Sequence, residues 1–190
     1  AEASNAVDRM TRAVLERVGD SVYSVEGEKI HDAAAKKLLD HGITLSCAES
    51  PTAGLLAAEL VKMPGISKVF DRGYVVYSEA SLTEEMGIAP DFIAKYTPYG
   101  PEMAEALARR VYEKTRSRMC IAVTGLAGPD GYQGREPGEY HISLLFDGNM
   151  TTRTFRHNGW TRQLTRNLMA QTMLDMIVYA IEGREVPEME

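Results

Sequence analysis

Residues 118–124 read RMCIAVT, an unbroken apolar run that passes straight into the glycine- and proline-rich stretch from Gly125 to Gly138. A strand of that kind has no polar face to give to water, so both of its faces need cover. The sequence supplies that cover on either side. Residues 101–115 place Met103, Leu107, Ala108 and Val111 at helical spacing behind Pro101, a residue suited to a first turn. A long closing helix carries Trp160, Leu164, Leu168, Met173, Ile177 and Ile181 close to one stripe. Upstream, the pattern predicts a helix over 28–40 with Ile30, Ala33, Ala34 and Leu38 inward, a strand over 43–48, and an apolar helix over 51–62. A strand over 69–78, centred on Tyr74-Val75-Val76-Tyr77, and short helices over 81–86 and 90–96 follow. Two further strands, 139–146 and 150–157, meet at Asp147-Gly148-Asn149, which is a hairpin signal. Helices interleaved with strands imply an α/β fold: a three-layer α/β/α sandwich with a mixed, mostly parallel sheet.

The pattern divides the 190 residues into an N-terminal helical extension (1–27), the α/β domain (28–184) and a short tail (185–190). In the extension Ser4 is placed to cap a helix with Val7, Met10, Val14 and Val18 near one face, a stripe expected against the core or a partner subunit. A net charge of -6 repels phosphate backbones, so no nucleic-acid partner is expected. A small phosphorylated ligand in an amide-lined pocket remains compatible with that charge. No apolar run nears the roughly 20 residues that cross a bilayer, and the start AEASNAVDRM does not read as a signal segment. Cys47 and Cys120 sit in strand-like runs as small buried hydrophobes and require no oxidising compartment. The expectation is a cytoplasmic protein with no membrane partner and no metal-ligand cluster.

In open α/β sheets, ligands bind beyond the carboxyl ends of strands and near helix N-termini. Three segments meet that condition: Ala48 to Gly54 (AESPTAG), Tyr77 to Ser81 (YSEAS) and Thr124 to Gly131 (TGLAGPDG). Ser50-Pro51 reads both as a helix cap followed by a first-turn proline and as a nucleophile on a strand-to-helix turn. Glu49 reads as a surface carboxylate or as the acceptor for nearby backbone amides. The glycine-rich stretch matches neither a P-loop nor a dinucleotide fingerprint. Its small residues let amides approach a ligand closely. Of the four histidines, His141 alone is placed on a strand beside that stretch, where a solvent-facing position is expected.

Together these segments resemble the C-terminal domain of the CinA family, which includes stand-alone nicotinamide mononucleotide deamidases. The likeness covers about residues 28–183 and is carried by AESPTAG at 48–54, Pro64-Gly65-Ile66-Ser67, Gly73 to Ser78, TGLAGPDG at 124–131, Pro137-Gly138, and Arg162 with Arg166 at the start of the last helix. The resemblance implies a three-layer α/β domain that hydrolyses the carboxamide of nicotinamide mononucleotide. It implies a serine nucleophile at Ser50, a pocket residue at Tyr77, and a lysine five residues after that tyrosine, where this chain has Leu82. Glu49, Thr52, Thr124, Gly125, Ala127, Gly128, Arg162 and Arg166 are the candidate ligand-binding residues, and no cofactor is implied. The family's AESCTGG stands here as AESPTAG, so Pro51 deletes an amide and Ala53 adds a methyl.

The reading drawn from this resemblance is a CinA-like homo-oligomer with a nucleotide-sized pocket for a mononucleotide and an impaired hydrolytic step. Losing a general base costs roughly 10²–10⁴-fold in rate. The alternative reading is an active amidohydrolase with Ser50 as nucleophile and a substitute base at Glu49, His141 or Lys68.

Overall fold

In the computed structural model, residues 2–19 and 22–185 are described. The fully buried run is β3 (Met119–Gly125), the middle strand of a five-stranded sheet in the order β2-β1-β3-β4-β5. β1 (Leu45–Glu49) pairs in parallel with β3 and with β2 (Phe70–Val75). β4 (Glu139–Phe146) and β5 (Asn149–Arg156) continue the sheet antiparallel. The sheet is mixed as expected, but with two parallel and two antiparallel pairings it is not mostly parallel.

Period-two alternation along β3 divides the core. Met119, Ile121 and Val123 join the cluster that contains residues of α2 (Ile30–Asp40), α3 (Leu55–Leu60) and α7 (Arg162–Glu182). Cys120 and Ala122 join the other cluster, under α4 (Glu79–Glu84), α5 (Pro90–Tyr96) and α6 (Pro101–Thr115). The β1 and β3 positions in this cluster are small, Ala48, Cys120 and Ala122, and α6 supplies the bulk with Met103, Leu107 and Val111. The β4–β5 hairpin turns at Asp147 and Gly148, both at positive φ, and Arg118 clamps the Asp147 carboxylate through Nε and an η nitrogen.

Several sequence expectations shift. The helix expected over 51–62 starts at Leu55, because residues 51–54 form a turn with Ala53 and Gly54 at φ 50 and 93. α7 begins at Arg162, and Trp160 and Leu164 lie exposed, while its buried positions begin at Thr165 and Met169. α1 (Glu2–Val18) starts ahead of Ser4, which therefore lies inside the helix rather than capping it. Val7, Met10, Val14 and Val18 on α1 are each at least half exposed, so the stripe is not spent on this chain's own core. Residues 186–190 of the expected tail lie outside the described residues.

The ordering of β1 sets the position of any ligand. The chain leaves β1 toward β2 on one side and returns from β2 to β3 on the other. The carboxyl ends of β1 and β3 therefore flank a topological switch point, where open α/β sheets leave a crevice. Gly125 closes that corner on its β4 side. A Cβ built there falls 2.5 Å from Tyr140 Cα and 2.6 Å from the Glu139 carbonyl oxygen, at a φ of +142°. Only a bare backbone fits. Gly125→Ala is expected to lower stability by about 3 kcal/mol or more, since β3 and β4 must part to admit the methyl. Urea unfolding of the two proteins measures it.

Candidate functional site

β1 ends at Glu49, whose side chain is 1% exposed. Its carboxylate accepts N–H bonds from Gly54 (3.0 Å), Leu56 (3.1 Å) and Ala57 (3.0 Å), so it gathers the orphan amides that open α3. The acceptor reading of Glu49 holds, and the Ser50 cap does not: α3 has Gly54 at its N-cap and takes its side-chain cap from the preceding strand. The consequence is chemical. The positive end of α3 is already satisfied by a buried carboxylate, which repels a second anion from the same amides.

Ser50 follows immediately, its N–H donating to the Val123 carbonyl at 3.3 Å. It borders a cavity of about 140 Å³ with Pro51, Tyr77, Tyr99, Ala127 and Arg162; Gly125, Leu126, Gly128 and Asp130 complete the wall. Three turns named from sequence thus converge on one place. Arg162, the first residue of α7, donates to the Gly128 carbonyl and to the Tyr77 hydroxyl, both at 2.6 Å. The Ala127 and Gly128 N–H groups face no described acceptor, whereas Leu126 N–H is spent on Glu139 and Gly138 N–H on Leu126.

Other expected site residues lie elsewhere. Arg166 is committed to structure, its Nε donating to the Pro51 carbonyl at 2.7 Å and an η nitrogen to the Thr52 carbonyl at 3.0 Å. Thr52 is fully buried, with an unpartnered hydroxyl. Thr124 is buried on the α6 side and donates to the Pro98 carbonyl. Leu82 is 3% exposed and packs with Ala48, Val76, Met86 and Ile88, outside the lining of the Ser50 cavity. The cavity is smaller than a nucleotide-sized pocket, since small-molecule sites span roughly 300–1,000 Å³.

None of the suggested substitute bases reaches Ser50. Lys68 lines a groove with Thr44 and Phe70, at the opposite end of the strands. His141 is buried rather than solvent-facing, because α6 covers that face of β4. Its Nδ1 pairs with Thr154 Oγ1 at 2.8 Å and its Nε2 lies 3.4 Å from Glu139 Oε1. Glu139 is in turn bridged by Arg135 and Arg156, and those bonds hold its carboxyl below the usual range against the pull of burial. Tyr99 in the lining escaped the sequence reading, whereas Asp130 belongs to the glycine-rich segment already named; the edge-to-face packing of Tyr99 on Tyr132 depends on tertiary structure alone. A larger cavity of about 620 Å³ also escaped it. That cavity lies beside α2, α3 and α7 and includes Tyr23, Lys29, His31, Glu59, Asn167 and Gln171, residues drawn from segments that no motif connects.

The crevice at the switch point of this mixed sheet, walled by a strand-to-helix turn and a glycine-rich loop, stands where open α/β sheets as a class place their ligands. The model of the CinA C-terminal domain matches residues 27–181, and the chain belongs to that family. It is 34% identical over 177 residues to a competence-damage inducible protein of Clostridium kluyveri, covering 93% of this chain and 43% of that protein. It is 37% identical over 165 residues to the protein so named in Acetivibrio thermocellus, covering 86% of this chain and 40% of the relative. The chain thus spans less than half the length of the curated relatives it matches. Among solved structures, a competence or damage-inducible protein from Enterobacter asburiae superposes with a TM-score of 0.75 at 25% identity, covering 80% of this chain and 96% of that one. The corresponding protein from Agrobacterium tumefaciens gives a TM-score of 0.75 at 26% identity, covering 82% and 97%.

A buried histidine on β4 and a half-buried aspartate on α7 set an acid response. Burial pushes His141 down to about 4, and burial pushes Asp175 up to about 6. Between its folded value and its ordinary one, His141 binds protons more readily unfolded, so stability falls as pH drops from about 6.5 to 4. Asp175 binds protons more readily folded, so between about pH 6 and 4 it opposes that fall. Asp175→Asn is expected to raise stability at pH 7 and to steepen the loss on acidification. His141→Gln should flatten it. Urea midpoints from pH 7 to 4.5 read both.

Proposed function

We propose that this chain is a mononucleotide-binding member of the CinA family whose amide-hydrolysing step is impaired. The observation that carries the reading is the composition of the Ser50 cavity. Its wall holds a serine, two tyrosines, an arginine and an aspartate, and among the described residues no lysine or histidine. A serine hydroxyl attacks a carboxamide only when a base takes its proton, and a leaving amine needs an acid to return one. Leu82, at the position where the resemblance implies a lysine, packs in the apolar cluster below α4. A lysine there has to bring its ammonium out of that cluster before it can serve the serine.

Binding has better support than turnover. Ala127, Gly128 and Arg162 line the same cavity; two backbone N–H groups without a described acceptor beside a guanidinium suit a phosphate, which prefers backbone donors and a forked cation. With α3 occupied by Glu49, the glycine-rich loop is the anion-binding side of the crevice. Cys47 and Cys120 are free and buried, which suits a reducing compartment, and a cytoplasmic place of action belongs to this reading. Among the described residues no helix is long and apolar enough to cross a membrane.

Calorimetry with nicotinamide mononucleotide is expected to show binding in the micromolar to millimolar range. Ammonia release from the same ligand should match that of Ser50→Ala. Turnover abolished by Ser50→Ala would establish the active amidohydrolase instead.

Self-association is part of the same proposal. A helix whose apolar stripe is left uncovered by its own chain needs a partner, and a second copy is the occupant we assign. The chain just beyond α1 is held to the domain, because Arg184 donates to the Gly19 and Val22 carbonyls. Sedimentation at micromolar concentration should return a mass above 21.0 kDa, and Met10→Glu with Val14→Glu should return the monomer.

A further inference from the structure

The Ser50 cavity is too small for a mononucleotide, and one side chain of its lining bonds two other lining residues. Arg162 reaches from the start of α7 to Tyr77, just beyond β2, and to Gly128, in the loop after β3. Both bonds are 2.6 Å, and both partners line the 140 Å³ space. The guanidinium therefore ties two walls of the crevice together. Neither bond belongs to the core: Tyr77 is 59% exposed and Arg162 lies at the surface.

We infer that Arg162 is an exchangeable latch. In the free protein it holds the glycine-rich loop against Tyr77 and keeps the cavity closed. The phosphate of an entering mononucleotide takes over the guanidinium and leaves the loop open around the ligand. The exchange is chemically favoured, because a guanidinium binds a phosphate through two charge-assisted bonds, whereas it holds here one neutral carbonyl and one phenol. Opening also exposes the Ala127 and Gly128 N–H groups to the same phosphate. The latch accounts for a site whose donors suit an anion while its volume does not. For its ligand it rests on the mononucleotide reading above; the latch itself is a property of the free chain.

The two ends of the bridge can be cut separately. Tyr77→Phe removes only the hydroxyl and keeps the ring, at an exposed position where the fold is not at stake. Arg162→Ala removes the bridge and the anion partner together. Amide hydrogen exchange over residues 126–134, followed without ligand, is expected to rise about 3- to 10-fold in Tyr77→Phe and at least as much in Arg162→Ala, the scale of one charged hydrogen bond lost in part. Affinity for nicotinamide mononucleotide should then move in opposite directions. It tightens by about the same factor in Tyr77→Phe, because the binding-competent fraction grows. It weakens in Arg162→Ala, and the preference for the mononucleotide over nicotinamide riboside disappears with it.

A merely structural role would weaken binding in both variants. Unchanged loop exchange in both, or weaker binding in both, overturns the latch. Raised exchange in both variants with no mononucleotide bound by any of the three proteins upholds the latch and overturns the ligand reading instead.

Discussion

A buried carboxylate gathering three backbone amides determines what the end of β1 is able to do. Glu49 is taken out of water by the sheet and by α3, a transfer tolerated only because its oxygens are met by the Gly54, Leu56 and Ala57 N–H groups. Each such charged bond contributes about 1.5–3 kcal/mol before the cost of desolvation is set against it. The geometry that follows is rigid. The chain must turn through residues 51–54 to bring those amides round, which delays α3 by one turn, and Arg166 then fixes the carbonyls of Pro51 and Thr52 from outside. Ser50 sits between these two anchors, so its place in the crevice is settled by residues that never touch the cavity.

The opposite wall is organised on a different principle. Behind the glycine-rich loop, β4 and β5 present a polar layer to α6. Ser143 pairs with Thr152, which donates to Glu105; His141 pairs with Thr154; Glu139 holds Arg135 and Arg156. The far end of the loop is thereby secured by an ion pair with the buried Glu139, while its near end depends on Arg162 at the surface. The loop is thus fastened at its root by a buried ion pair and at its lip by a surface bridge.

Sequence pattern revealed most of this architecture where a single period ruled a segment. β3, α6 and the hairpin at Asp147-Gly148 follow directly from an apolar run, a helical spacing and a turn pair. The start of α3 was hidden because its cap lies on the strand before it, and Ser-Pro offered a more local cue. The burial of His141 was hidden because Glu139, His141 and Ser143 alternate like a solvated face, and only the packing of α6 shows that the face is covered. In the site, Ser50, Tyr77, Gly125, Ala127, Gly128 and Arg162 were legible as one cluster since all stand at strand ends or a helix start. Arg166 and Thr52 looked equivalent to them in sequence but are turned toward backbone and core, a distinction of one helical turn that no spacing rule carries.

Ala53 adopts a φ of 50, a left-handed conformation that costs a residue with a Cβ roughly 1–2 kcal/mol. Its neighbours hold it there, since the Glu49 amide cluster and the Arg166 clamp dictate the turn irrespective of what occupies position 53. The corner of the site is therefore buffered against sequence drift. Its shape belongs to the scaffold, so a lineage can trade alanine for glycine at this exposed position by one nucleotide change and recover latent stability. Such a reserve can in turn absorb a destabilising change elsewhere in the crevice.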